Sequence, residues 1–143
     1  MCIRDSLYAK YDHQKEAGLK LGAGELSGQY DRVVDCVAND QTLELSAKTA
    51  KPGSWLILLG IPLKGINLPG MRMIMNEIQV FPSIMYSSTD GVRDFSVAAK
   101  LISQNIDIVN TIISHRFILV DAEEAFLVAD DKNSGSIKVV FNN

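Results

Sequence analysis

Few side chains in this 143-residue sequence are of types that carry chemistry, and those few are scattered. The histidines are His13 and His115, and the cysteines are Cys2 and Cys36. A catalytic zinc needs three protein ligands around one open position. His13, His115 and Cys36 stand in unrelated stretches, so no metal site is expected. Asp121, Glu123 and Glu124 gather three carboxylates, but a capping box that opens a helix accounts for them. No Ser/His/Asp arrangement is suggested by spacing, and no catalytic residue is assigned. What remains is a backbone signature. Leu56 to Pro62 reads Leu-Ile-Leu-Leu-Gly-Ile-Pro, a buried strand that ends on a glycine loop. Such a strand suits a nucleotide-binding sheet, yet no Gly-x-Gly-x-x-Gly occurs in the chain. That turn normally opens the sheet and holds the pyrophosphate at a helix amino terminus.

The elements that would position this strand follow from local patterns. Asp12 can cap a helix running to Leu21, which Gly22-Ala23-Gly24 stops. Arg32 to Ala38 is short and β-branched, a mostly buried strand. Asn39 and Asp40 can cap a helix with Leu43, Ala47 and Ala50 on one face, ended by Pro52-Gly53. Trp55 to Gly60 is the next strand, and strand–helix–strand order marks a parallel sheet. Between Leu63 and Asn76 the pattern weakens. Glu77 to Met85 is a third strand, with Pro82 pointing to an edge or a bulge. Val92, Phe95, Ala99 and Ile102 form a helical stripe stopped at Asn105. A short strand lies around Arg116 to Leu119, a helix follows Asp121, and Ser134-Gly135 turns into a last strand, Ser136 to Phe141. The fold class is α/β.

Composition narrows the function classes. The chain is 47% hydrophobic and 22% charged, with 14 Lys/Arg against 17 Asp/Glu, a net charge of -3. A mildly acidic chain without a basic cluster is a poor nucleic-acid or anionic-membrane surface. No apolar run reaches the ~20 residues of a membrane span. Two cysteines give neither a disulfide framework nor a zinc-knuckle spacing. A reduced, cytoplasmic setting is expected. Met1 to Ser6 resembles the translation of a transposase adapter used in sequencing libraries, a native but poorly ordered terminus being the plain alternative. Those residues are therefore expected to be a non-native leader, with native sequence extending upstream of Leu7.

Five segments, in this order and spacing, carry a resemblance. They are Leu19-Lys20-Leu21-Gly22-Ala23, Tyr30-Asp31-Arg32-Val33-Val34-Asp35-Cys36-Val37, Leu58-Leu59-Gly60-Ile61-Pro62, Ser114-His115-Arg116-Phe117 and Gly135-Ser136-Ile137-Lys138-Val139-Val140. Together they resemble the carboxy-terminal portion of the medium-chain dehydrogenases/reductases, the zinc-type alcohol dehydrogenase superfamily. The resemblance implies an incomplete Rossmann-like parallel sheet with flanking helices. Residues 7–110 would be part of a dinucleotide-binding domain, and residues 111–143 a segment that packs on a missing catalytic domain. The zinc ligands and the glycine-rich turn would lie upstream, so the chain is expected to be a fragment without activity of its own, and its cofactor binding is expected to be weak or absent.

The resemblance also implies cofactor contacts. Ala9 falls where NAD-selective members carry an acid for the ribose hydroxyls. Ala9, Lys10 and Tyr11 offer a cation and a ring instead, which favours NADP over NAD; an ordinary solvated Lys10 is the plain alternative. Cys36, Val37 and Asn39 fall where the family packs the adenosine. With no basic partner in view, Cys36 is expected to be a buried structural cysteine. Gly60, Ile61 and Pro62 correspond to the loop whose backbone meets the nicotinamide, where glycine permits close approach; a plain strand-to-loop turn is the other reading. Ile84 and Met85 match a second nicotinamide-side contact. Lys138 matches a basic position that approaches the pyrophosphate, and is otherwise an exposed strand lysine.

The expected function is thus hydride transfer between a nicotinamide cofactor and an alcohol, aldehyde or ketone, with zinc in the parent protein only. The parent is expected to act on a small molecule and to form a homo-oligomer, with Met71 to Met75 either an oligomer contact or core filler. Two alternatives stay open. One is a zinc-free quinone or enoyl reductase of the same superfamily. The other is a non-catalytic interaction module.

Overall fold

A computed structural model describes residues 6–62, 64–84 and 86–142. In chain order the elements are β1 (Ser6–Leu7), α1 (Asp12–Lys20), β2 (Gly24–Glu25), β3 (Tyr30–Asp35), α2 (Asp40–Thr49), β4 (Ala50–Leu58), α3 (Gly70–Met75) and β5 (Gln79–Pro82). They continue with β6 (Ser88–Thr89), β7 (Val92–Arg93), α4 (Asp94–Gln104), α5 (Ile106–Ile112), β8 (Ile113–Phe117), a 3-10 turn (Leu119–Asp121), α6 (Ala122–Asp130) and β9 (Lys138–Phe141). The chain divides into two compact units. One is Gly28–Asp94, and the other is the chain up to Ser27 together with Phe95 onward.

The Gly28–Asp94 unit is a three-stranded parallel sheet in the order β3-β4-β5. The strands align with Val33 opposite Leu56 and Leu56 opposite Val80. Helix α2 supplies Leu43 and Ala47 to a core that also holds Ala50, Leu56, Met73 and Ile78. Leu43 and Leu56 are fully buried, each side chain contributing about 1.5–3 kcal/mol of transfer free energy. The helix begins on a capping box, as Asn39 suggested. Thr42 N–H donates to Asn39 Oδ1 at 2.9 Å, and Asn39 N–H donates to Thr42 Oγ1 at 3.1 Å. It ends at Thr49, earlier than Pro52-Gly53. Those two residues sit inside β4, where pairing jumps from Tyr30–Ala50 to Arg32–Trp55 and the extra residues bulge out. Pro82 closes β5 at the edge of the sheet, as expected for a residue with no N–H to donate.

The other unit pairs β1 with β2 in parallel around α1, and β8 with β9 in parallel around α6. Among its described residues Ala125, 2% exposed, is the buried apolar one. The capping box at Asp121 does not form. Asp121 ends the 3-10 turn at φ -95 and ψ 25, and its side chain makes no cap hydrogen bond. The strand expected around residues 116–119 lies earlier, at Ile113–Phe117, because α5 ends directly on it. Among the described residues no helix is long and apolar enough to cross a membrane.

Candidate cofactor groove

The site builds from the end of β3. Asp35 is only 4% exposed, and an ionised carboxylate so placed must be satisfied by donors. Its Oδ1 accepts Val37 N–H at 2.9 Å and Ala38 N–H at 2.8 Å, and Ser46 Oγ donates to Oδ2 at 3.4 Å. Its main-chain carbonyl accepts the N–H groups of Leu59 (2.9 Å) and Gly60 (3.0 Å). One residue thereby ties the ends of β3 and β4 to the face of α2. The turn it holds is strained, with buried Ala38 at φ 56. Left-handed backbone costs an L-residue about 1–2 kcal/mol.

Gly60 lies against this turn. A Cβ there would sit 2.6 Å from Ala38 N and 2.7 Å from Val37 N, and closer still to the Val37 carbonyl carbon. Glycine is thus required by the crossing of two stretches of the chain's own backbone. Beside the crossing, an open groove of about 540 Å³ runs past the start of α2. Val37, Asn39, Ile61 and Pro62 line it together with Asp40 and Lys64. A groove outside the carboxyl ends of parallel strands is where open α/β sheets bind ligands. A second depression, of about 530 Å³, follows α3 along Glu44, Met71, Arg72 and Met75 and lies away from those strand ends.

Four of the expected contact residues, Val37, Asn39, Ile61 and Pro62, are therefore brought together in one groove. Cys36 and Gly60 adjoin it in sequence without lining it. Ile84 follows β5 and is 76% exposed; Met85 lies outside the described residues. Cys36 is exposed, not buried, because β3 ends at Asp35 and the chain turns outward there. Its thiol is nonetheless pushed up from the ordinary cysteine value, first by partial desolvation and then by the Asp35 charge.

Ala9, Lys10, Tyr11 and Lys138 belong to the other unit. There the Lys10 ammonium stands 5.4 Å from the Tyr11 ring centroid, and that ring stacks on His13 at 5.7 Å. The cation and the ring are thus joined, a cation–π pair. His13 is half-buried, and its Nε2 is buried without a hydrogen-bond partner among the described residues. Lys138 opens β9, where its N–H and that of Ile137 donate to Ser114 Oγ at 3.3 and 2.9 Å. Met71 and Met75 are exposed while Met73 enters the core, so core filling describes Met73 and not the whole methionine run.

Sequence reasoning assigned Asp35 and Asn67 no role of their own and Asp40 only that of a helix cap; Asn39 is the cap, and Asp35, Asp40 and Asn67 bond across the groove's edges. A charged residue inside the apolar run Val33-Val34-Asp35-Cys36-Val37 was the available signal, since a buried charge demands partners. Among the described residues no three His, Cys, Asp or Glu side chains are grouped to hold a metal. The donor set here does not fit zinc, and no chemistry is derived through it.

The chain belongs to the zinc-type alcohol dehydrogenase-like superfamily of medium-chain dehydrogenases/reductases: a family profile described as zinc-binding dehydrogenase matches residues 10–104. Among curated relatives, the L-arabinitol 4-dehydrogenase of Hypocrea jecorina is 26% identical over 110 residues, 77% of this chain and 28% of the relative. The chain thus spans under a third of that relative's length. Among solved structures, L-idonate 5-dehydrogenase of Escherichia coli superposes with a TM-score of 0.77 at 17% identity, covering 91% of this chain and 40% of that one. A short chain alcohol dehydrogenase of Escherichia coli, complexed with the cofactor NADH, gives 0.72 at 15% identity, over 92% of this chain and 42% of that one. These likenesses establish a Rossmann-type α/β fold.

Proposed function

We propose that this chain supplies part of the cofactor cleft of an NAD(P)-dependent oxidoreductase that transfers hydride between the nicotinamide and an alcohol, aldehyde or ketone. The observation that carries the reading is the groove at the carboxyl ends of β3 and β4, beside a capped helix start, in a chain of the zinc-binding dehydrogenase family. In this reading Cys36, Val37 and Asn39 lie along the adenosine. Gly60, Ile61 and Pro62, with Ile84, present backbone to the nicotinamide side; Met85, the other residue of that contact, lies outside the described residues. A nicotinamide cofactor, when bound, supplies the hydride chemistry; the chain supplies shape and orientation.

Separately, the Lys10–Tyr11 pair supports a preference for NADP, since a cation over a ring suits a 2'-phosphate where an acid would repel it. Lys138 is proposed as a point charge toward the pyrophosphate. Large apolar side chains left open to solvent, among them Val120 at 82% and Met71 at 77%, support a role inside a longer protein or an oligomer. Residues 7–110 are then the dinucleotide-binding part and residues 111–143 a segment returning to a catalytic domain.

Sequencing the genomic DNA upstream of the Leu7 codon tests this. An in-frame glycine-rich turn preceded by a domain with cysteine and histidine zinc ligands is the expected result. A stop codon immediately upstream of Leu7 overturns the reading.

A further inference from the structure

The wall of the groove formed by Lys64, Gly65 and Ile66 has little core beneath it. Lys64 and Gly65 are exposed, and only Ile66 packs partly against the buried cluster. What holds this run in place is a polar clamp. Asn67 N–H donates to Asp40 Oδ1 at 2.9 Å, and Asn67 Nδ2 donates to Asp40 Oδ2 at 2.8 Å. Both carboxylate oxygens thus accept from a single residue 27 positions away, one through its backbone and one through its side chain. A two-point contact of this kind fixes orientation as well as distance.

Asp40 is available for the clamp because its neighbour does the capping. The Asn39–Thr42 box satisfies the start of α2, so the Asp40 carboxylate, the first acidic group of the helix, can reach across to the loop. An anion at that position is also favoured by the helix dipole. In keeping with this, the Asn67 backbone N–H, and then its side-chain amide, hold the Asp40 carboxyl below the ordinary carboxylate range.

We infer that Asp40 is a positioning residue: by gripping Asn67 it fixes the Lys64–Ile66 wall, and so sets the groove's affinity for an adenosine-bearing ligand. The ligand's identity rests on the proposed function; the clamp rests on geometry alone.

The test compares Asn67→Ala, Asp40→Asn and the double variant in the 143-residue chain. Backbone amide exchange is followed at Lys64–Asn67, and adenosine 5'-monophosphate is titrated while the Val37, Asn39 and Gln41 amides are watched by NMR. Each single variant should speed exchange in the wall roughly tenfold, the scale of one charge-assisted hydrogen bond in an exposed setting. The double variant should add little, since both changes break one interaction. Nucleotide affinity should fall several-fold in Asn67→Ala while the urea midpoint reported by Trp55 stays put. A purely structural role would move the midpoint instead. Unchanged exchange in Asn67→Ala overturns the inference, as does full additivity of the two changes. Equal nucleotide binding by wild type and variants overturns the clamp's role alone. No nucleotide response even in the wild type overturns the affinity claim, while the cofactor reading of the longer protein is decided by the sequence upstream of Leu7.

Discussion

Gly60→Ala is the most direct probe of how the groove is built. The added methyl would fall within 2.7 Å of Val37 N and Ala38 N, both backbone atoms that cannot rotate away. Ordinary contact begins near 3.4 Å, so the crossing must open by most of an ångström. Two hydrogen bonds resist that movement, from the Leu59 and Gly60 N–H groups to the Asp35 carbonyl at 2.9 and 3.0 Å. Overpacking a tight site costs about 1–3 kcal/mol. Weakening each of those bonds adds about 1 kcal/mol. Against this, losing glycine's freedom in the unfolded chain returns about 0.4–1 kcal/mol. The net expectation is a destabilisation of about 3 kcal/mol, a melting shift of roughly 10 °C for a chain of this length.

The control is Gly65→Ala. Nothing lies within 4 Å of a Cβ there and its φ is not positive, so it should be neutral or slightly stabilising. Trp55 is the single tryptophan and lies in β4, so urea unfolding followed by its fluorescence reports on this sheet. If Gly60→Ala and Gly65→Ala unfold at the same urea concentration, the backbone crossing is not what requires glycine at position 60.

Three further outcomes are expected. Leu56→Ala should cost about 2–5 kcal/mol in the same urea assay, because the side chain is fully buried in the core that the central strand shares with α2; a loss under 1 kcal/mol would mean that Leu56 is not a core residue. Cys36 should alkylate more slowly with iodoacetamide at neutral pH than a free cysteine peptide, because its raised pKa thins the thiolate; a rate equal to or above the peptide's refutes this. The Lys51 ammonium, 2.8 Å from Asp31 Oδ2, holds that carboxyl below its ordinary value through a hydrogen bond and through its charge. A depressed carboxylate contributes stability above its unfolded pKa of about 3.9 and loses it as pH falls through the lower folded value. Carboxyl NMR should therefore show the Asp31 midpoint rising on Lys51→Met, and an unmoved midpoint would contradict the pairing.

What could be read from the sequence was what local physics decides. Asn39 as a cap, the apolar spacing of Leu43 and Ala47, the Leu56 strand and the Pro82 edge all depend on residues within a few positions of one another, and all appear in the fold. The misses have the opposite character. Helix α3 is six residues long, too short for a period to show, and is held by Met73 entering a core built elsewhere. The Asp121 box failed because the backbone entered α6 from a 3-10 turn, whose dihedrals leave the side chain off the helix start. Cys36 was expected to be buried because no basic partner stood in view, yet the strand stops one residue before it and leaves it exposed. In each case a tertiary neighbour or a turn geometry, invisible in a window of sequence, decided the outcome.

The same reasoning explains why Gly60 was legible while its cause was not. Glycine at the end of a buried strand signals that something approaches the backbone closely, and a flat ligand ring is one candidate. The structure places Val37 and Ala38 there, held in a left-handed turn by Asp35. Strain at Ala38, a charge buried at Asp35 and a missing side chain at Gly60 are therefore one feature with three parts. Each part taken alone is unfavourable: a left-handed alanine, a desolvated carboxylate, a flexible residue at a strand end. Together they close, because the carboxylate that needs donors is the group that fixes the strained turn, and the turn fills the space that glycine leaves. A sharp exit of this kind carries the chain off the sheet at its carboxyl edge, which is what leaves room for a groove between the start of α2 and the loop after β4.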